Sequence, residues 1–290
     1  MGFKSLQDII DKSRYTDGNI FEAVLSDDIS ERGVTRESSI REMLKMWTAM
    51  KSSYQKHEGS LKSASGLVGG DSEKLKVYSG ESDTLSGGFI CKVMYTAIAV
   101  AESNACMKCI VASPTAGSCG VMPGVLIPYA ERYEISNEKI CEAMYVSAGI
   151  GSVIAQRASI SGAQGGCQAE IGSAAAMAAA ALAYLMGQSP EMVMNACALA
   201  LKNMLGLACD PVAGLVEVPC VKRNASGAVN AVIAADMSMA GIISVIPPDE
   251  VIDAMGEIGS LMPSSIKETS KAGLAVTDTG RKIAACQRHL

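Results

Sequence analysis

Ala174-Ala175-Ala176-Met177-Ala178-Ala179-Ala180-Ala181 lies at the centre of a stretch, Ile171 to Pro190, that contains no charged residue. A membrane-spanning helix needs about 20 strongly apolar residues, but this stretch is mostly alanine, with glycine, serine and glutamine at its ends. A helix that is apolar on every side belongs in a protein core. The stretch therefore predicts a buried helix in a soluble protein, with no membrane partner.

The rest of the chain predicts further helices and no run of alternating apolar and polar residues typical of strands. We expect a single all-α catalytic domain over residues 1–290, with a looser N-terminal arm at 1–35 and a polar C-terminal tail at 269–290. Ser38 and Ser39 are the expected cap of the first long helix. The other predicted helices cover residues 85–109, 137–150, 172–186, 190–205, 227–241 and 248–258, with a glycine-rich loop at 63–71.

Composition limits the classes of partner. The formal net charge is −5, the sequence pI is about 5.2 and no basic run is present, which argues against nucleic acid. The chain has ten cysteines, and its first residues do not form an apolar export segment. Cysteines in this setting indicate a reducing compartment and a cytoplasmic protein, in which thiols are metal ligands, catalytic groups or core residues.

Three cysteines, Cys167, Cys209 and Cys220, follow or precede glycine or proline. Three thiolates leave one corner of a metal or cluster site open for a substrate, whereas four ligands would close the site. Their spacing matches no zinc-finger pattern. From the residues alone, a ligand set and three buried structural thiols remain equal alternatives.

A competing signal is the pair Cys106 and Cys109, with Cys119 ten residues further on. This spacing is typical of redox-active or metal-binding pairs, and it would suit a non-enzymatic thiol-redox or structural metal protein. Because the pair falls within a predicted apolar helix, we expect it to pack in the core.

The segment Ser113 to Gly120 combines small hydroxyl residues with glycines just before a predicted helix. Backbone N–H groups at such a helix start stabilise a carboxylate or phosphate, although an ordinary helix cap has the same composition. Lys62 lies among serines, but this pattern is too weak to predict a pyridoxal-phosphate lysine. The two histidines, His57 and His289, lie in no hydrolytic or metal-binding pattern.

Three motifs together resemble the iron–sulfur-dependent L-serine dehydratases (L-serine ammonia-lyases), and most closely the separate α subunit of the bacterial two-subunit form. They are Gly166-Cys-Gln-Ala-Glu-Ile-Gly-Ser173, the segment from Leu205 to Asn224, and Ala112-Ser-Pro-Thr-Ala-Gly-Ser-Cys-Gly120. The resemblance extends from roughly residue 65 to residue 282. It implies a mostly helical catalytic domain that converts L-serine to pyruvate and ammonia.

The resemblance also implies that Cys167, Cys209 and Cys220 hold a [4Fe–4S] cluster, with one iron open to act as a Lewis acid on the substrate hydroxyl. Pyridoxal phosphate is not expected. A β subunit would supply the regulatory region and a Ser-Ser-His-Thr segment near the catalytic centre. For the substrate carboxylate we expect a binding site made by Ser113, Thr115, Ala116, Gly117, Arg223 and Asn224, because the arginine fork matches a carboxylate. No general base is assigned to this chain.

Two departures from the family pattern stand out. Many relatives have a histidine where this chain has Lys202-Asn203-Met204, and some single-chain members end in a cysteine that serves as a temporary fourth ligand. Here four residues follow Cys286, so its position does not match that of the terminal cysteine in those members. Cysteine desulfidation on the same scaffold is the alternative activity, since the sequence does not separate L-serine from L-cysteine as substrate.

Overall fold

The computed structural model describes residues 2–287, which form helices and turns with no β-strand. His289, one of the two histidines of the sequence, lies outside this range. The helices are α1 Leu6–Ser13, α2 Ile20–Arg32, α3 Arg36–Gln55, α4 Asp71–Glu81, α5 Gly87–Ala105, α6 Val121–Tyr133, α7 Asn137–Arg157, α8 Gly162–Gly165, α9 Ser173–Leu185, α10 Pro190–Lys202, α11 Cys220–Met239, α12 Pro248–Leu261 and α13 Asp278–Gln287. The prediction of an all-α fold is confirmed.

The alanine-rich helix α9 lies at the centre of the molecule, as its sequence predicts. It packs against α7, α10 and α11, and its residues from Ser173 to Ala183 are buried. Alanine side chains let these neighbouring helices approach closely, and side chains of the surrounding helices fill the remaining space. None of the helices in the described range has the length and apolar character needed to cross a membrane.

The expectation of a looser N-terminal arm is wrong. Residues 6–13 and 20–32 form α1 and α2, and Phe3, Leu6 and Ile9 are fully or almost fully buried in the main core. Asp249 at the start of α12 accepts a hydrogen bond of 2.8 Å from the backbone N–H of Leu6. Helix α1 is amphipathic but has only eight residues, and the buried residues of α2 lie in its first nine positions, so neither helix shows a long apolar repeat in the sequence.

Several helix boundaries differ from those predicted. Thr35 caps α3, in place of the expected Ser38 or Ser39, by accepting a hydrogen bond from the N–H of Ser38. Helix α11 begins at Cys220, seven residues before the predicted start at Gly227, and α4 has no counterpart in the prediction. The tail from residue 269 folds back: Gln287 donates a 3.0 Å hydrogen bond to the carbonyl of Ser65.

Helix α5 ends at Ala105, so Cys106 and Cys109 do not lie in the helix and the expectation of core packing is wrong. Met107 has a φ of 57°, a left-handed conformation that stops the helix. Cys106 is half-buried and Cys109 is exposed. By contrast, Cys119 is buried at the start of α6, and all ten cysteines are free thiols.

Candidate active site

Cys167, Cys209 and Glu170 form a compact group in the interior. One sulfur atom from each cysteine and a carboxylate oxygen of the glutamate all lie within 4.8 Å of one another. The two thiols are buried, at 2% exposure each. Cys209 thus meets two residues that precede it by 39 and 42 positions, where thiols and a carboxylate can act on the same bound species.

Cys167 is held at the end of a glycine turn. Gly166 has a φ of 75°, and a Cβ atom there would lie 2.9 Å from the carbonyl oxygen of Leu207, so only glycine fits. The next residue, Gln168, is fully buried and donates from its backbone to that same carbonyl, and its side chain bonds to Gly206 N–H and to the carbonyl of Met255. These bonds fix the Cys167 segment against the Cys209 segment.

Cys209 lies in an extended segment that is bound on both sides of its backbone. Its N–H donates to the carbonyl of Ile266 at 2.9 Å, and its carbonyl accepts from Glu268 N–H at 2.8 Å. The following residue, Asp210, accepts a hydrogen bond of 2.9 Å from Leu274 N–H. Residues 266–274, of which 269–274 belong to the predicted polar tail, therefore hold one of the site thiols in place.

Cys220 is the first residue of α11 and is 7% exposed. One turn later on the same helix, Arg223 directs its guanidinium group at the other two cysteine segments. It donates to the carbonyl of Ala208 at 2.9 Å and to Asp210 at 3.0 Å. Arg223 thus connects the Cys209 and Cys220 segments, and its positive charge acts on the Cys167 thiol.

Glu170 joins the thiols to the Ser113–Gly120 turn. Its Oε1 accepts a hydrogen bond of 2.8 Å from the hydroxyl of Thr115. A Cβ atom at Gly162 would lie 2.6 Å from Oε2 of Glu170 and 3.3 Å from the sulfur of Cys209, and one at Gly117 would lie 3.2 Å from Oε1. Glycines on two sides therefore leave the space that the carboxylate occupies.

Asn224 holds the turn in its conformation. Its side-chain N–H₂ donates to the carbonyls of Gly117 at 2.8 Å and Cys220 at 3.0 Å, and its oxygen accepts from Gly120 N–H at 2.9 Å. Within residues 2–287, the backbone N–H groups of Ala116 and Gly117 have no hydrogen-bond acceptor. Two adjacent N–H groups in this position can bind an anion.

The electrostatic environment favours one ionised thiol. Hydrogen bonding from Cys209 lowers the pKa of Cys167 against the effect of burial, and the charge of Arg223 lowers it further. The same hydrogen bond raises the pKa of Cys209, and burial raises the pKa of Cys220 to about 12. Burial also raises the pKa of Glu170, although the bond from Thr115 opposes this shift. Cys167 is thus the cysteine of the set whose pKa is lowered, while the pKa values of Cys209, Cys220 and Glu170 are raised.

This donor set fits a soft metal or an iron–sulfur group. The thiols are buried beside the cationic side chain of Arg223, and metal binding replaces the thiol protons. Cysteine sulfur is the ligand that such groups prefer. Glu170 offers a hard oxygen ligand in the same group.

The other sequence candidates lie elsewhere. His57 is buried between Ser72, Ser103 and Glu102, and the distance from its Nε2 to Glu102 is 3.1 Å. Lys62 donates to the carbonyl of Gly69. Cys286 is exposed on α13, which packs beside the turn at 212–214.

Two acidic residues of the site are not predicted as functional from the sequence. Glu170 follows Cys167 by one helical turn, and it is the last charge before the uncharged stretch, which was the available signal. Glu217 is 7% exposed and accepts hydrogen bonds from Ser63, at 2.9 Å, and from Ser65. It fixes the glycine-rich loop beside the segment that leads to Cys220, and no sequence pattern indicates this contact.

Comparison with known proteins points to one family. Residues 15–275 match the family model described as serine dehydratase alpha chain. The chain is 46% identical to a protein of Bacillus subtilis named probable L-serine dehydratase, alpha chain, over 97% of this chain and 94% of the relative. It is 40% identical to the L-serine dehydratase, alpha chain, of Peptoniphilus asaccharolyticus over 96% and 95%.

In a longer relative, the matching region is only part of the chain. The L-serine dehydratase of Streptomyces coelicolor is 39% identical over 85% of this chain, which corresponds to 55% of the relative. A match over most of the length and the convergence of the three motifs on one site lead to the same assignment. The chain belongs to the serine dehydratase alpha chain family.

Proposed function

We propose that this chain is the catalytic subunit of an L-serine ammonia-lyase that forms pyruvate and ammonia. The observation that carries the proposal is the position of Glu170 between the Thr115 hydroxyl and the sulfur atoms of Cys167 and Cys209. Removal of water from serine needs a base for the Cα proton and assistance to the departing hydroxyl group. A carboxylate that lies beside a thiol site puts a base and a metal-binding site within reach of the same substrate molecule.

We assign Cys167, Cys209 and Cys220 as the protein ligands of a [4Fe–4S] cluster. When bound, such a cluster supplies a Lewis acid that stabilises the hydroxyl as it leaves. The protein's part is to keep the three segments together, through Gln168, and to balance the negative charge, through Arg223. The buried setting of these groups excludes bulk water, which strengthens their electrostatic interactions.

The substrate carboxylate is assigned to the Ser113–Gly117 turn. The free N–H groups of Ala116 and Gly117 are the donors available there, and the hydroxyl of Thr115 lies beside them. Binding at this turn would bring the substrate next to Glu170, because a Cβ atom at Gly117 would lie 3.2 Å from Oε1 of Glu170.

We assign Arg223 and Asn224 an indirect role. Arg223 bonds to the segment that carries Cys209, and Asn224 bonds to this turn. Arg223 already bonds to Ala208 and Asp210, and every polar atom of the Asn224 side chain has a partner. This favours a positioning role for both residues over direct contact with the substrate carboxylate.

Glu170 is our candidate for the general base. Its carboxylate would accept the Cα proton at Oε2, while Thr115 holds Oε1. The aminoacrylate released after loss of water tautomerises and hydrolyses to pyruvate and ammonia without further help from the protein.

A partner chain completes the proposal. Relatives that match over nearly their whole length are named alpha chains, which implies a second chain in those proteins. We propose that a β subunit supplies the remaining groups near the open side of the site. The test is pyruvate formation from L-serine by the anaerobically reconstituted chain with and without that subunit. Faster turnover of L-cysteine than of L-serine would refute the substrate assignment.

A further inference from the structure

A cavity of about 760 Å³ lies between α3 and the segment that follows α5. Its volume falls within the range of small-molecule sites, roughly 300–1,000 Å³. It is distinct from the candidate active site, because its wall includes none of Cys167, Cys209, Cys220, Glu170 and the Ser113–Gly120 turn. The proposed lyase reaction therefore gives it no role.

The wall of this cavity is positively charged. Four cationic side chains line it, those of Arg41, Lys45, Lys56 and Lys108. They are accompanied by one carboxylate, that of Glu58. Of these four cationic side chains, only Lys45 forms an ion pair within the described residues. Its partner is Glu42, at 2.8 Å, which does not line the cavity. In a chain with a net charge of −5, such a local excess of positive charge attracts anions.

Ser53 places a buried polar group behind the wall of the cavity. It lines the cavity and is 7% exposed, and its hydroxyl has no hydrogen-bond partner within residues 2–287. Its oxygen is closed off from solvent, so the ligand-binding groups of the cavity are the cationic side chains and not this hydroxyl.

We propose that the cavity binds a small organic anion. Its anionic group, a carboxylate, sulfonate or phosphate, is held by the cations. Its apolar body contacts Leu44 and Ala49, which lie on the same face of α3. A ligand with both parts matches a wall that combines charged groups with aliphatic surface.

The probe for this site is naphthalene-1-sulfonate, titrated calorimetrically into the full chain together with any subunit that co-purifies with it. We expect saturable one-to-one binding that weakens as salt is raised, and no binding of neutral naphthalene-1-sulfonamide. In Lys56→Ala the dissociation constant should rise about tenfold, because a charge-assisted bond is lost. The matched control is Lys271→Ala, since Lys271 is exposed and does not line the cavity.

Two further variants separate binding from folding. Ser53→Ala removes the unpartnered hydroxyl, which is closed off from the open cavity, so we expect unchanged probe binding with an unchanged or raised melting temperature. Ala49→Phe fills the cavity and should abolish binding while the far-ultraviolet circular dichroism spectrum stays unchanged. Equal affinity for the neutral probe, or unchanged affinity in both Lys56→Ala and Ala49→Phe, would overturn the proposal.

Discussion

The hydroxyl of Thr115 donates a 2.8 Å hydrogen bond to Oε1 of Glu170, a residue 55 positions later in the chain. This bond connects the turn that offers two free N–H groups to the carboxylate beside the thiols of Cys167 and Cys209. The proposed substrate-binding groups, the proposed base and the proposed metal ligands thus form one continuous site.

Replacing Glu170 with glutamine keeps the volume and the bond from Thr115 but removes the proton acceptor. We expect the turnover number for L-serine to fall by about 10²–10⁴. The visible absorption of the reconstituted protein should be retained. Thr115→Val, which keeps the carboxylate and removes only its hydrogen-bond donor, should have a smaller effect. Near-normal turnover in Glu170→Gln would exclude Glu170 as the base.

Gly162→Ala tests the space around the same carboxylate. The new Cβ would lie 2.6 Å from Oε2 of Glu170 and 3.3 Å from the sulfur of Cys209, so one of them must move. Overpacking of this kind costs about 1–3 kcal/mol, and we expect lower iron content as well. The control is Gly80→Ala in α4, where nothing lies within 4 Å. That change should stabilise the protein by up to about 1 kcal/mol in urea unfolding.

Arg223→Lys keeps the positive charge but cannot bond to Ala208 and Asp210 together. If Arg223 positions the cysteine segments, iron should be lost faster to a chelator, while the KM for L-serine in the loaded enzyme changes little. Arg281→Lys, at an exposed position, is the control. A large rise in KM with normal iron retention would instead show that Arg223 binds the substrate carboxylate.

The buried pair of Glu102 and His57 predicts an acid-sensitive contribution to stability. Burial opposes ionisation of Glu102, but bonds from His57, Ser72 and the N–H of Asp71 lower its pKa below the ordinary 4.5. A lowered folded-state pKa means that the ionised carboxylate stabilises the fold above pH 4.5, and that this stabilisation is lost as the pH falls through the folded value.

Glu102→Gln should therefore reduce the free energy of unfolding at pH 7 and flatten its decline below pH 4.5. Urea unfolding at several pH values measures both effects. The same pH profile for the wild-type protein and the variant would contradict this reading.

The sequence predicted those parts of the molecule that local patterns decide. The uncharged stretch around Ala174–Ala181 indicated a buried helix, and residues 113–120 indicated a turn before α6, as the structure has them. The position of Glu170 could not be predicted in the same way, because its neighbours Thr115 and Gly162 come from other segments. A single backbone angle at Met107 also moved Cys106 and Cys109 out of the predicted helix.

The most direct test of the account is the iron, acid-labile sulfide and zinc content of the anaerobically purified protein. We expect iron and sulfide in near-equal amounts, about four of each per chain and little zinc, as a [4Fe–4S] cluster requires. Serine at Cys167, Cys209 or Cys220 should abolish both, whereas Cys106→Ser and Cys109→Ser should leave them unchanged. Zinc in place of iron, or loss that follows Cys106 and Cys109, would contradict the assignment of the site.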